Sequence, residues 1–171
     1  MKTNVYIASS LDGYIARTDG GLDWLSIAEK EGEDYGFSKF FSSIDTIVMG
    51  RNTFDIVKEF KPWPYSEKQC IIYTSRPAEV LHNEKYFSGS ISELYEFIQK
   101  SGADNVYADG GRLIQGFLEH DYIDEITISI IPILLGDGIP LFGKMQKNIK
   151  LHLMESVRFE TGLVQVRYRL K

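Results

Sequence analysis

The 171-residue sequence predicts an α/β sandwich around a mainly parallel sheet that ends in an antiparallel hairpin. Three observations predict it. Short apolar runs alternate with helical spacings through most of the chain. Four of those runs end in polar or glycine-bearing turns: Ser-Leu-Asp-Gly at 10–13, Gly-Arg-Asn-Thr at 50–53, Thr-Ser-Arg-Pro at 74–77 and Asp-Gly-Gly-Arg at 109–112. The last segment changes character, because Val164, Val166, Tyr168 and Leu170 alternate with Gln165, Arg167, Arg169 and Lys171, the period of a strand with one covered face.

The elements follow in order. Asn4 to Ser9 is a short apolar run and reads as the first strand, after which a long loop is punctuated by Gly13, Gly20 and Gly21, with Trp24 near its end. Loops of that length inside one domain are usually functional or disordered. Phe37, Phe40, Phe41 and Ile44 recur at helical spacing. Thr46 to Met49 reads as a buried strand, and Asn52 or Thr53 can cap a short helix whose inner face is Phe54, Val57 and Phe60. Cys70 to Thr74 is a further strand. Ser90 with Glu93 forms a capping box for a helix facing inward through Leu94, Phe97 and Ile98 and stopped by Gly102. Val106 to Ala108 then leads into a helix carrying Leu113, Ile114, Phe117 and Leu118. Glu125 to Ile131 is the next strand, and Leu151 to Phe159 pairs with the terminal strand through the turn at Glu160-Thr161-Gly162.

Composition removes several function classes. The chain is long enough for one domain with a real core, is 43% hydrophobic and carries a formal charge of −5, with no basic run, which argues against a nucleic-acid partner. A single cysteine, Cys70, excludes an internal disulfide and reads as a core thiol. His82, His120 and His152 are too scattered to form a metal-ligand spacing, so no metal is expected. There is no G-x-S-x-G elbow. The N-terminus offers only a four-residue apolar run, too short for a signal peptide or membrane span, so a cytoplasmic location is expected.

The segment Asn-Val-Tyr-Ala-Asp-Gly-Gly-Arg-Leu at 105–113 is the sharpest signal. It is neither a G-x-G-x-x-G fingerprint, since Arg112 stands where glycine is required, nor a phosphate loop of the GKS type. A Gly-Gly pair still lets backbone approach a ligand, and the following helix aims its free N–H groups at an anion. The alternative is a tight strand-to-helix turn. In a parallel sheet the four strand-end turns share one edge, where open α/β proteins bind ligands, and that favours a nucleotide site.

Val-Met-Gly-Arg-Asn-Thr-Phe at 48–54, Tyr-Thr-Ser-Arg-Pro at 73–77 and Asp-Gly-Gly-Arg-Leu at 109–113 resemble, in order and spacing, the cofactor-binding segments of dihydrofolate reductase. Ser-Leu-Asp-Gly-Tyr-Ile-Ala at 10–16 and Ile-Pro-Ile-Leu-Leu-Gly-Asp-Gly-Ile-Pro-Leu-Phe at 131–142 are similar to the reductase domain of the bifunctional riboflavin-biosynthesis deaminase-reductase. The resemblance implies the three-layer dihydrofolate-reductase-like fold and NADPH as cofactor. It implies that Gly50, Arg51 and Thr53 hold the pyrophosphate and nearby phosphates, and that Thr74, Ser75 and Arg76 flank the adenosine ribose. It further implies that Gly110, Gly111, Arg112 and Leu113 pass beneath the pyrophosphate, that Ala8 meets the nicotinamide amide through its backbone, and that Trp24 walls the substrate pocket. Arg51 and Arg76 also read as solvated turn residues. Asp109 before two glycines favours the riboflavin-type branch over the three glycines usual in dihydrofolate reductases. Asp34, before the Phe37 helix, is a weaker match for the carboxylate with which those enzymes grip the pterin ring.

The expected activity is therefore hydride transfer from NADPH to a small polar heterocycle or sugar imine, with 5-amino-6-(5-phosphoribosylamino)uracil as the specific substrate the resemblance implies. One cysteine cannot build the zinc deaminase half, so a stand-alone reductase domain is expected. Asp12 and Asp109, both at strand ends, are the candidates for substrate polarisation or proton delivery, although Asp12 could equally cap its turn. Dihydrofolate reductase proper and a non-catalytic nucleotide-binding protein of the same fold remain alternatives. A homodimer is expected, because related reductase domains often pair and the terminal hairpin leaves an apolar face and an open edge.

Overall fold

A computed structural model of the chain describes residues 1–170; Lys171, the expected last residue of the terminal strand, lies outside the described residues. The chain runs β1 (Lys2–Ser10), β2 (Tyr14–Ala16), a 3-10 turn (Asp23–Ala28), α1 (Phe37–Ser42), β3 (Thr46–Gly50), α2 (Arg51–Val57), β4 (Gln69–Tyr73) and β5 (Glu84–Phe87). It continues with α3 (Ile91–Lys100), β6 (Asn105–Asp109), α4 (Gly111–Glu119), β7 (Glu125–Ile131), β8 (Ile139–Pro140), β9 (His152–Arg158) and β10 (Val164–Arg169).

Eight strands make one sheet in the order β5-β4-β3-β6-β1-β7-β10-β9. Neighbours from β5 to β7 are parallel, and β10 and β9 close the sheet antiparallel. The period-two geometry of a strand sends alternate residues to opposite faces, and both faces are covered. On one, Val48, Ile71, Val106, Ala108 and Ile126 pack against Leu94 and Ile98 of α3 and against Leu113, Ile114, Phe117 and Leu118 of α4. On the other, Ile47, Met49, Ile72 and Tyr107 meet Phe54 of α2 and the half-buried Phe40 and Phe41 of α1. The result is three layers, helix on sheet on helix, as the alternation in the sequence predicts.

Local signals place most elements. The capping box of α3 forms as expected: Ser90 Oγ accepts from Glu93 N while Glu93 accepts from Ser90 N. Gly102 follows α3 at φ 82°, the left-handed position that ends helices. Two expectations are corrected. The helix after β3 begins directly at Arg51 with Gly50 as its N-cap and no side-chain cap, so neither Asn52 nor Thr53 caps it. Phe60 is 54% exposed rather than on an inner face, because α2 ends at Val57.

Three short strands lay outside the sequence reading. β5 is four residues, Glu-Lys-Tyr-Phe, too polar to read as buried, and it is held by pairing with β4. β2 and β8 form a separate two-stranded sheet of three and two residues, the second containing Pro140. Tertiary contact rather than local pattern fixes such pieces.

Candidate functional site

The parallel ladders are unequal, and their inequality makes the site. β1 pairs with β7 through Ser10↔Ile131, and β3 pairs with β6 through Met49↔Asp109. Between β1 and β6, however, pairing stops at Asn4↔Tyr107. The sheet therefore splits toward its C-terminal edge, with β3 and β6 on one side and β1 and β7 on the other. The split falls beside β6, where chain order reverses, the usual ligand position in an open α/β sheet.

On the β6 side the strand-end turns interlock. Gly110 has φ 100°, and a β-carbon on it would stand 2.7 Å from Thr53 Oγ1. A β-carbon on Gly50 would meet nothing within 4 Å, so the backbone there faces open space. Gly111 starts α4 with its back to Ile15 Cδ1 and Pro140 O, at 3.0 and 3.2 Å from a built β-carbon. Gln115 secures that arrangement by donating to the carbonyls of Pro140 and Leu141 at 3.0 and 3.2 Å. Arg112 is exposed and Leu113 is buried in the core.

The next turn is tied to the first by Arg51. Its Nε donates to Asp55 Oδ2 at 2.9 Å and its guanidinium donates to the Arg76 carbonyl at 2.8 Å. Thr74 Oγ1 accepts from Arg76 N at 3.0 Å. Ser75 and Arg76 are exposed, and among the described residues the Arg76 and Arg112 guanidinia have no hydrogen-bond or ion-pair partner. The pair Arg51 and Arg76 is thus divided: one positions a turn, and the other is available.

Beyond the split lies a cavity of about 660 Å³ floored by Tyr6 and Ala8 of β1 and Ser129 of β7, and walled by Leu25, Ala28 and the loop 29–35. A polar network underlies it. Gln165 of β10 donates to Tyr6 Oη at 2.8 Å, Ser129 Oγ at 3.0 Å and the Tyr35 carbonyl at 3.1 Å. Tyr6 Oη donates in turn to the Tyr35 carbonyl at 2.5 Å, and Tyr107 Oη donates to the Tyr6 carbonyl at 3.0 Å. Burial pushes the Tyr6 hydroxyl above its ordinary pKa, so it stays a neutral donor. Tyr6, Tyr35, Ser129 and Gln165 were not singled out from the sequence. The only signal was that Gln165 occupies the polar register of the one-sided strand, which gives a face but not a partner.

The remaining expected residues fall as follows. Asp109 lies on the same sheet face as Met49, Tyr107 and the cavity floor. Burial pushes its carboxyl up to about 6 from the ordinary 3.8. Asp12 is exposed and clips two loops: it accepts from Ser10 Oγ at 2.5 Å, Leu135 N at 3.1 Å and Gly136 N at 2.8 Å. These bonds, the Ser10 hydroxyl first, hold it below the usual carboxylate range, so the turn-capping alternative fits its geometry. Trp24 is 2% exposed and packs with Ala28, Ile131 and Leu163 behind the cavity wall, with no partner for its indole N–H among the described residues; Leu25 beside it lines the cavity instead. Asp34 does line the cavity, but both its oxygens accept backbone N–H groups, from Gly36 at 2.8 Å and Ser38 at 3.0 Å. Cys70 is a core thiol, pushed up to about 12 by burial.

A glycine turn without room for side chains, open backbone at Gly50 and two unpaired guanidinia fit the phosphates of a dinucleotide. The adjoining cavity fits a ring or two. No cluster of three or more candidate metal ligands occurs among the described residues.

Comparison with known proteins agrees with this geometry. The Bacillus subtilis (strain 168) protein YwjB, described as uncharacterized, is 39% identical over 170 residues, covering 98% of this chain and 97% of that one. A crystal structure of a putative riboflavin biosynthesis protein from Shewanella sp. PV-4 superposes with TM-score 0.91 at 38% identity, over 100% of this chain and 99% of that one. The fold is also that of dihydrofolate reductase from Enterococcus faecalis, at TM-score 0.66 and 16% identity, over 98% of this chain and 95% of that one. The RibD C-terminal domain profile matches residues 2–165, and the chain belongs to that family.

Proposed function

We propose that the protein is an NADPH-dependent reductase acting on a small planar heterocycle or sugar imine. The observation that carries this reading is the split sheet: a glycine- and arginine-lined edge on one side adjoins a ring-sized cavity on the other. Family membership supports the same reading, since a Thermotoga maritima deaminase/reductase of similar fold is described as a 5-amino-6-(5-phosphoribosylamino)uracil reductase.

When bound, NADPH would supply the hydride. Gly50, Thr53, Gly110, Gly111, Arg112 and Leu113 would hold its pyrophosphate, with Arg51 fixing the turn in which Thr74, Ser75 and Arg76 flank the adenosine ribose. Ala8, at the floor of the cavity, would orient the nicotinamide through its backbone. Leu25, Ala28 and the loop 29–35 would exclude water from the acceptor carbon, and the half-buried Asp109 carboxyl would hold the proton that balances the hydride. Asp12 shapes the loop over the site. The homodimer forms through β9 and β10, because every residue of β9 is exposed and its outer edge is unpaired.

The test is NADPH titration followed by oxidation assays monitored by absorbance at the reduced nicotinamide band. Binding with turnover of 5-amino-6-(5-phosphoribosylamino)uracil or a close relative supports the reading. Tight binding without turnover of any aminopyrimidine or pterin would favour a non-catalytic binding protein, and no binding at all would refute the reading.

A further inference from the structure

The two sides of the split differ in charge. Arg76 and Arg112 stand unpaired on the phosphate side, where Arg51 is matched by Asp55. The cavity wall instead carries Glu29, Glu31, Glu33 and Asp34 against a single base, Lys30. Four carboxylates against one ammonium leave a formal surplus of three negative charges. Lys30 is further bound to Glu160, so its charge is matched from outside the cavity. Among the described lining residues there is no arginine and no histidine. The carboxylates also differ in what they can do. Asp34 is spent on the backbone of Gly36 and Ser38, and Glu33 accepts from Tyr35 N at 2.8 Å. The Glu29 and Glu31 carboxylates are exposed and make no side-chain hydrogen bond among the described residues, which leaves acceptors for amino or ring N–H donors.

A phosphate monoester carries close to two negative charges, and a folate tail carries two carboxylates. Either group would enter a wall of like sign with no unmatched base to receive it. The floor offers such a group only neutral partners, chiefly the Ser129 hydroxyl.

Resting on the reductase reading above, we infer that the substrate is a planar heterocycle with N–H donors and no anionic tail. The cavity selects an unphosphorylated aminopyrimidine or a tail-free pterin over the phosphoribosyl precursor and over dihydrofolate. Negative charge on the ligand side belongs to the cofactor alone.

The test uses the full chain saturated with NADP+ and two matched pairs of probes in titration calorimetry. One pair is 5-amino-6-ribosylaminouracil and its 5′-phosphate, and the other is 7,8-dihydro-6-methylpterin and dihydrofolate; the two pairs separate the two ring sources. The expected result is that the uncharged member of at least one pair binds about tenfold more tightly than its charged partner. The gap should narrow in about 0.5 M salt, where the screening length falls to a few ångströms, and in the Glu29→Gln/Glu31→Gln variant. Equal or tighter binding by the charged member of every pair that binds, or no binding by any of the four, overturns the inference. Titration with NADP+ alone, done first, separates this from failure of the reductase reading. If NADP+ gives no binding, that reading falls, and the pairs titrated against the free protein still decide the charge rule.

Discussion

Gly110 and Thr53 touch so closely that a β-carbon on the glycine would stand 2.7 Å from the threonine Oγ1. Two turns from strands adjacent in the sheet, β6 and β3, are thereby locked edge to edge. The glycine also holds φ 100°, where side-chain-bearing residues are strained. Gly110→Ala should therefore destabilise the fold by about 2–4 kcal/mol and weaken NADPH more than tenfold. Adding Thr53→Ala should remove the clash but not the backbone strain, recovering part of the stability. Chemical denaturation of the three variants checks this, and a Gly110→Ala protein as stable as wild type would show that the turns are not locked.

How much of this was legible beforehand depends on what kind of contact carried it. The covered helices declared themselves, because Leu94 and Ile98, or Leu113 and Phe117, repeat at helical spacing and are buried where that spacing puts them. The strand-end turns were legible for the same local reason. Apart from Ala8, which the resemblance implies, the floor of the cavity was not. Tyr6 meets Gln165 across 159 positions of sequence, and no local pattern encodes a contact of that range. Trp24 shows the opposite failure: an aromatic in a long loop looks like a pocket wall, yet packing against Ile131 and Leu163 draws it behind the wall. The resemblance implies a phosphate role for Arg51, whereas its bonds to Asp55 and the Arg76 carbonyl tie it to the protein.

That last distinction sets the expectation for cofactor choice. NADPH and NADH differ by one phosphate on the adenosine ribose. The exposed Arg76 guanidinium is unengaged among the described residues, and a charge-assisted bond contributes roughly 1.5–3 kcal/mol. Arg76→Ala should weaken NADPH by about one to two powers of ten and leave NADH nearly unchanged. Arg51→Ala should weaken both cofactors, since it releases the turn rather than a single phosphate contact. Dissociation constants for both cofactors against wild type and both variants decide it; a wild-type preference for NADH would end the argument.

The edge of the sheet leads to a different measurement. In β9 all seven residues are exposed, among them Leu153, Met154 and Val157 at 58%, 45% and 36%. An apolar, unpaired edge strand is a liability that a second copy can cover. Sedimentation at micromolar concentration should show a dimer, and Met154→Lys or Val157→Lys should dissociate it with less than about 1 kcal/mol lost from the monomer fold, because these side chains are solvated there. A wild-type chain that sediments only as a monomer would remove the dimer from consideration.

Asp109 carries the last prediction, because its two expected effects pull in opposite directions. Burial raises its carboxyl to about 6, and no basic side chain is among the causes acting on it. A folded-state value above the unfolded one means that the native chain binds the proton more tightly. The contribution of Asp109 to stability is then greatest at acid pH, below the unfolded value near 3.8, and falls as pH rises to about 6. At pH 7.5 the buried charge is a net cost, so Asp109→Asn should raise stability by roughly 1–3 kcal/mol, a gain that shrinks to nothing near pH 4. Turnover should move the other way. If Asp109 holds the balancing proton, the wild-type reductive rate should fall as pH rises past about 6, as the carboxyl ionises. The Asn variant should lose that pH dependence and most of its turnover while keeping its NADPH affinity, since a carboxylate beside a pyrophosphate repels rather than binds it. Thermal melts across pH and single-turnover rates across the same range test both halves. A variant that loses NADPH affinity with turnover intact would return Asp109 to the glycine turn as a structural residue.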